Sequence, residues 1–256
     1  MLLALACQMG LALVWVSQLG SQVDFALMTG VVNLVALTAI AAVGYWRSGE
    51  APRVFPVGEI PMLYWLGLVL TAASGTVVLG EIANLTTWVL PLPGWLAKVF
   101  GQLSDGPPLI SLFTLAFVAP VTEESIFRGL LLRGFARRYG NGAGIVLASS
   151  LFAVFHLNIW QAMTAFLAGL YLGWVYISTR SLLPSMLAHG LFNGLPVLLA
   201  ALGFVVSGYN SPPVSTPVFQ PLFWTAGGLV VLAAGLALTK RWAPLSPPPV
   251  SDRVLS

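Results

Sequence analysis

The sequence predicts an all-α protein: a polytopic transmembrane helical bundle of about eight spans with N- and C-termini cytoplasmic. Three observations carry this expectation. Of 256 residues, 58% are hydrophobic and only 7% are charged, against about 25% charged in soluble domains. The apolar residues fall in runs of about 20, the length that crosses a bilayer as a helix. The basic residues gather in short connectors, as membrane topology requires.

Taken in order, the first apolar run covers 2–20. It lacks a basic start and a small-residue cleavage site, so it reads as a retained span and not a signal peptide. It holds Cys7, the single cysteine of the chain, which excludes an internal disulfide and a cysteine metal site. Cys7 reads as a small apolar side chain. Further spans are expected at 24–46, 61–90, 109–132, 143–157, 160–178, 183–206 and 223–240. The third is long, with a tilt or break expected near Glu81 and Asn84, and the fifth is short. Turn signals separate them: Gly20-Ser21, Pro52 to Pro61, Pro91 to Pro108, Gly140 to Gly144, and Ser211 through Pro221. The proline-rich tail from Ser246 reads as disordered. This divides the chain into N-terminal helices and loops (1–108), a functional membrane core (109–206), and a last helix with its tail (207–256).

With the N-terminus inside, the cytoplasmic side receives Arg47, Arg53, Arg133, Arg137, Arg138, Arg180, Lys240, Arg241 and Arg253. Lys98 alone faces out, and Arg128 lies within a helix. The net charge of +3 is therefore a topology signal and not a nucleic-acid signature. The expected partners are the lipid bilayer and a membrane-associated peptide or protein; the oligomeric state stays open. Arg133, Arg137 and Arg138 read as anchors to anionic headgroups, and most of the tryptophans fall near span ends.

Three polar clusters interrupt the later helices. The first is Glu123-Glu124-Ser125-Ile126-Phe127-Arg128. A charge at bilayer depth costs about 2.5–3.5 kcal/mol on insertion scales, so such residues are usually functional. Glu124 and Arg128 stand at i and i+4 and can pair on one helix face. Glu123 points about 100° away and stays free to take and give protons. A buried salt bridge that merely locks helices would need only one carboxylate. The second cluster runs from Phe152 through His156 to Asn158, and the third from His189 to Gly194. They hold the only two histidines of the chain. His189 and Asn193 again share a face at i and i+4. Polar groups of these types on three helices suit water activation and oxyanion binding.

Glu-Glu-x-x-x-Arg, then Phe-x-x-x-His, then His-x-x-x-Asn, on successive membrane helices, resembles the CPBP family, which includes the type II CAAX prenyl endopeptidases and Abi-type bacterial proteins. The matching residues are Glu123, Glu124 and Arg128; Phe152 and His156; His189 and Asn193. The resemblance covers roughly 109–206 and implies an intramembrane endopeptidase. It implies that Glu123 and His156 activate a water, that His189 and Asn193 bind the oxyanion, and that Glu124 and Arg128 tune the site. The substrate it implies is a prenylated C-terminus or another membrane-associated peptide. A compact chain of this kind suits a bacterial plasma membrane.

The family is often labelled metalloprotease, and Glu123, His156 and His189 could ligate Zn2+, which takes three protein ligands plus water at catalytic sites. No His-Glu-x-x-His is present, and Asn193 suits an oxyanion better than zinc. A metal-free mechanism is favoured, with no cofactor, and zinc stays open. Serine and aspartyl intramembrane proteases are disfavoured, since Gly-x-Ser-x and Gly-x-Gly-Asp motifs are absent. The alternatives are a non-catalytic scaffold or bacteriocin-immunity-type protein, and, last, a proton-coupled transporter, for which no internal repeat appears.

Three structural expectations complete the reading. Gly169-x-x-x-Gly173 and Gly190-x-x-x-Gly194 should let helices approach closely inside the bundle. Pro120 should kink its helix and free a carbonyl towards the site. His189 lies about 9–14 Å from the cytoplasmic end of its helix and His156 about 20 Å from that side if its helix stands upright. That mismatch predicts a short, tilted fifth helix and a site opening to the cytoplasm.

Overall fold

A computed structural model describes residues 24–56, 59–104, 106–211 and 216–244. The expected span 2–20 and the proline-rich tail lie outside them. The described chain forms eight helices: α1 (Phe25–Ser48), α2 (Met62–Val89), α3 (Gly94–Ser104), α4 (Pro108–Tyr139), α5 (Asn141–Phe155), α6 (Ile159–Thr179), α7 (Leu182–Ala201) and α8 (Leu222–Arg241). There is no strand among the described residues.

Six helices, α1, α2, α4, α6, α7 and α8, are long and apolar enough to cross a membrane. This is a multi-pass membrane protein. Six of the seven expected spans that fall on described residues are long enough to cross, and the fifth, expected to be short, is not. α5 has 15 residues, about 22 Å of helix, short of a hydrocarbon core of about 30 Å. α3 lies where the prolines at 91–108 predicted only a connector. One side of it packs inward, where Leu96 is buried, while Trp95 and Lys98 are exposed.

α2 is also corrected, since its 28 residues run without a break at Glu81 and Asn84. The polar pair instead ties down the α7–α8 connection. The Asn84 amide donates to Glu81 Oε2 (2.9 Å) and to the Gly208 carbonyl (2.8 Å). The Gln220 backbone N–H donates to the same Glu81 oxygen (3.1 Å).

Two ends of the bundle follow from cross-chain contacts. At one end, the N–H groups of Leu182 and Leu183 donate to the carbonyls of Arg53 and Val54, each at 2.9 Å. Arg133 pairs with Glu50 at 2.6 Å, and Arg137 joins the same carboxylate. This arginine-rich end gathers Arg47, Arg53, Arg133, Arg137, Arg138, Arg180, Lys240 and Arg241. At the far end, Trp160 Nε1 donates to the Leu90 carbonyl (2.7 Å), and Lys98 is the described basic residue there. Glycines set the closest approaches. A Cβ on Gly235 would meet the Thr71 backbone N at 2.7 Å, which holds α8 against α2.

Candidate active site

α4 and α5 form an antiparallel hairpin about Gly140, whose φ of 83° lies in the left-handed region that glycine tolerates. Residues equally far from Gly140 meet across it. A Cβ on Gly144 would lie 2.8 Å from the Ala136 N. Further down, the Arg128 guanidinium lies 4.7 Å from the Phe152 ring centroid. The same register brings Glu124 level with His156. The depth mismatch expected from the sequence disappears, because α4 climbs from the glutamates to Tyr139 and α5 returns by nearly the same distance.

Two π-helical turns flank the glutamates, Thr114–Val118 and Phe127–Leu132; such turns occur frequently at functional sites. Pro120 lacks the N–H that an α-helix would direct at Ala116. The Ala116 carbonyl faces α7 instead, where a Cβ on Gly190 would sit 2.5 Å from it. A Cβ on Gly194 would meet Ala116 Cβ at 2.5 Å. The first glycine pair packs likewise on α5, Gly169 against Ser149 and Gly173 against Ile145. Both pairs therefore serve contacts inside the bundle.

Glu124 is the hub of the buried network. Its Oε1 accepts from Arg128 Nη1 at 2.6 Å and from His189 Nδ1 at 2.8 Å. Arg128 Nη2 also donates to the Gly169 carbonyl (3.2 Å). Glu124, Arg128 and His189 are buried. An ionised carboxylate is acceptor-only, so Nδ1 of His189 carries hydrogen and Nε2 is presented forward. That Nε2 lies 3.8 Å from Glu123 Oε2. The Glu123 carboxylate makes no side-chain hydrogen bond among the described residues.

His156 follows the last turn of α5. Its Nδ1 lies 2.9 Å from the Phe152 carbonyl, an acceptor, so the neutral ring carries its hydrogen there and Nε2 is a free base. The Phe152 ring stands edge-on to both histidines, with centroids 5.0 Å from His156 and 5.6 Å from His189. Leu157 turns the chain with φ 56°. Asn158 then caps α6 by accepting from the Gln161 N–H (2.8 Å) while its amide donates to the His156 carbonyl (2.9 Å). The sequence reading took Asn158 only as part of the His156 cluster; its position just before an apolar run is the signal for a cap.

His156, His189 and Asn193 line one cavity of about 260 Å³, together with Phe152, Thr76 and Gln161. Asn193 makes no side-chain hydrogen bond among the described residues, so its amide is free at the cavity wall. Glu123 and Glu124 stand behind this wall and reach it through His189. The structure thus places Glu123 beside His189, whereas the resemblance couples it with His156.

The lining of this cavity runs away from the arginine-rich end, where an opening to the cytoplasm was expected. Its wall continues through Gly80, Ala83, Gln161, Thr164 and Tyr209 towards the far end. The reason is the hairpin: α5 ends at the level of the glutamates and leaves room beyond His156, whereas the arginine-rich half is packed by Leu132, Ala148, Tyr176 and Leu182.

Glu123, His156 and His189 were the candidate zinc ligands. Among the described residues no three His, Cys, Asp or Glu side chains group closely enough to hold a metal. As placed, the three do not fit a zinc site.

Comparison with known proteins places these elements. Residues 105–195 match the family model described as Type II CAAX prenyl endopeptidase Rce1-like. That segment carries all six candidate residues and supports the CPBP assignment. The chain is also similar to an uncharacterized 24.3 kDa protein of Escherichia coli, 30% identical over 125 residues, or 47% of this chain. The match spans 58% of that relative's length. No solved structure matches.

Proposed function

We propose that this chain, Rce1-like over residues 105–195, is an intramembrane endopeptidase that hydrolyses a peptide bond of a membrane-associated substrate in a bacterial plasma membrane. The observation that supports it is the convergence of His156, His189 and Asn193 on one cavity, with the uncommitted Glu123 carboxylate 3.8 Å behind His189.

In this reading the carboxylate of Glu123 takes the proton of an attacking water whose other hydrogen is held by the bare Nε2 of His156. The water oxygen bonds to the scissile carbonyl carbon and its π electrons move onto oxygen. The Asn193 amide donates to that oxyanion, and so does Nε2–H of His189, whose ring enters the step already protonated as imidazolium and keeps both protons throughout. Glu124 holds Nδ1–H of that ring, and Arg128 holds Glu124, so the imidazolium keeps a fixed orientation. Collapse expels the amine, which leaves with the proton returned by Glu123. No step runs through a metal.

The test is cleavage of a panel of membrane-anchored peptides, a farnesylated C-terminal peptide included, by purified protein in detergent. Glu123→Gln keeps shape and removes the base. It should lower product formation by about 10²–10⁴-fold, the range of a positioned general base, without lowering the unfolding temperature. A folded wild type that cleaves no peptide would leave the scaffold reading in its place.

A further inference from the structure

The catalytic cavity does not stop at Tyr209. Gly80, Ala83, Gln161, Thr164 and Tyr209 also line a second cavity of about 270 Å³. That outer chamber lies between the last turns of α2, the first turn of α6, α3 and the α7–α8 connection. It reaches Leu92, Phe100 and the half-exposed Val218. All these elements belong to the far end of the bundle. Eight described basic residues stand at the opposite end, Arg47, Arg53, Arg133, Arg137, Arg138, Arg180, Lys240 and Arg241. The excess of Lys and Arg marks the cytoplasmic side of a membrane protein.

The chamber wall has its own chemistry. It carries amides and hydroxyls, Asn84, Thr87, Gln161, Thr164, Ser211 and Thr216, beside apolar surface. No Asp, Glu, Lys or Arg lines either cavity among the described residues. Glu81, the charge nearest in sequence, is turned to Asn84 and Gln220. An uncharged wall of this kind would leave a charged substrate segment without a partner on desolvation. It suits a neutral peptide whose backbone amides bond to side-chain amides and hydroxyls.

Resting on the endopeptidase reading, we infer that the site opens on the non-cytoplasmic face and takes an uncharged, polar, extended segment of a membrane-anchored protein presented from that face. A prenylated tail arriving from the cytoplasm would meet the closed, arginine-rich end.

Two measurements test this separately. First, in a Cys7→Ser background, Val218→Cys at the chamber rim and Gly142→Cys at the arginine-rich end are labelled in intact cells with a membrane-impermeant maleimide. A side chain at Gly142 meets nothing within 4 Å. Val218→Cys should label at once and Gly142→Cys only after permeabilisation. The reverse pattern overturns the sidedness. Second, single-span reporters carry a Ser/Thr/Gln-rich juxtamembrane segment on either the outer or the cytoplasmic side and are co-expressed with wild type or Glu123→Gln. Glu123-dependent cleavage of the outer-side reporter, reduced at least tenfold when two lysines enter its segment, is expected. Cleavage of the cytoplasmic reporter instead, or indifference to the lysines, overturns the substrate class. Absence of cleavage on both sides, with the expected labelling, overturns the endopeptidase reading and the substrate class with it, while the labelling still reports which face the cavity meets.

Discussion

At the scale of single residues, Glu124 Oε1 serves Arg128 and His189 at once. Removing one member of such a buried set leaves a charge uncompensated, at a cost of about 3–5 kcal/mol. Arg128→Met should therefore lower the unfolding temperature in detergent strongly. Adding Glu124→Gln removes the orphaned charge and should recover much of that loss. Activity should not return with it, because the amide no longer supports an imidazolium at His189. Recovery of stability and cleavage together would mean that Glu124 and Arg128 only pack. The Glu124–Arg128 pair was legible in the sequence, since a spacing of four on a helix places both on one face. The Glu124–His189 bond was not. It joins residues 65 apart on helices whose mutual rotation no local pattern fixes.

Among the elements, the close approach of α7 to the π turn of α4 positions the site. Gly190 is what permits it. A Cβ there would stand 2.5 Å from the Ala116 carbonyl, a rigid backbone atom. Gly190→Ala should cost about 1–3 kcal/mol by overpacking and loosen the His189–Glu124 contact, so cleavage should fall with stability. Gly142→Ala is the matched control. It lies in a helix with open space around its Cβ, and should gain about 0.5–1 kcal/mol. Thermal unfolding of both reads the contrast, and equal behaviour would refute the close-approach account. The α4–α5 register was also within reach of the sequence: Gly140 marks the turn, and counting equally from it sets Arg128 against Phe152. α3 was missed because prolines at both ends of 91–108 outweighed a short amphipathic pattern between them. The break at Glu81 and Asn84 was wrongly expected because polar residues in an apolar helix were read as weakness. They are instead anchors for a loop 124 residues away in sequence, at Gly208.

For the whole molecule, composition and charge asymmetry established a multi-pass bundle with one basic end. They did not show which end the cavity faces. That depends on how tightly each half of the bundle packs, which emerges only when all the helices meet. The α7–α8 connection contributes to the cavity walls at the far end, and Tyr209 borders both cavities. The Thr76 hydroxyl donates to the Ala73 carbonyl (2.7 Å), so at the 2.8 Å contact between them the Tyr209 hydroxyl donates to Thr76. Its ring also lies against Trp224, with centroids 5.8 Å apart. Tyr209→Phe keeps the ring contact and removes one hydrogen bond, about 1 kcal/mol. If that bond latches the connection over the passage, amide exchange at 204–211 should quicken about fivefold, the equivalent of that energy. The substrate KM should change while kcat holds, because no group assigned to the chemistry is altered. Unchanged exchange would show that Trp224 and the Gly208–Asn84 bond hold the connection without the hydroxyl. A fall in kcat alone would instead place Tyr209 in the chemistry, at the border that the two cavities share.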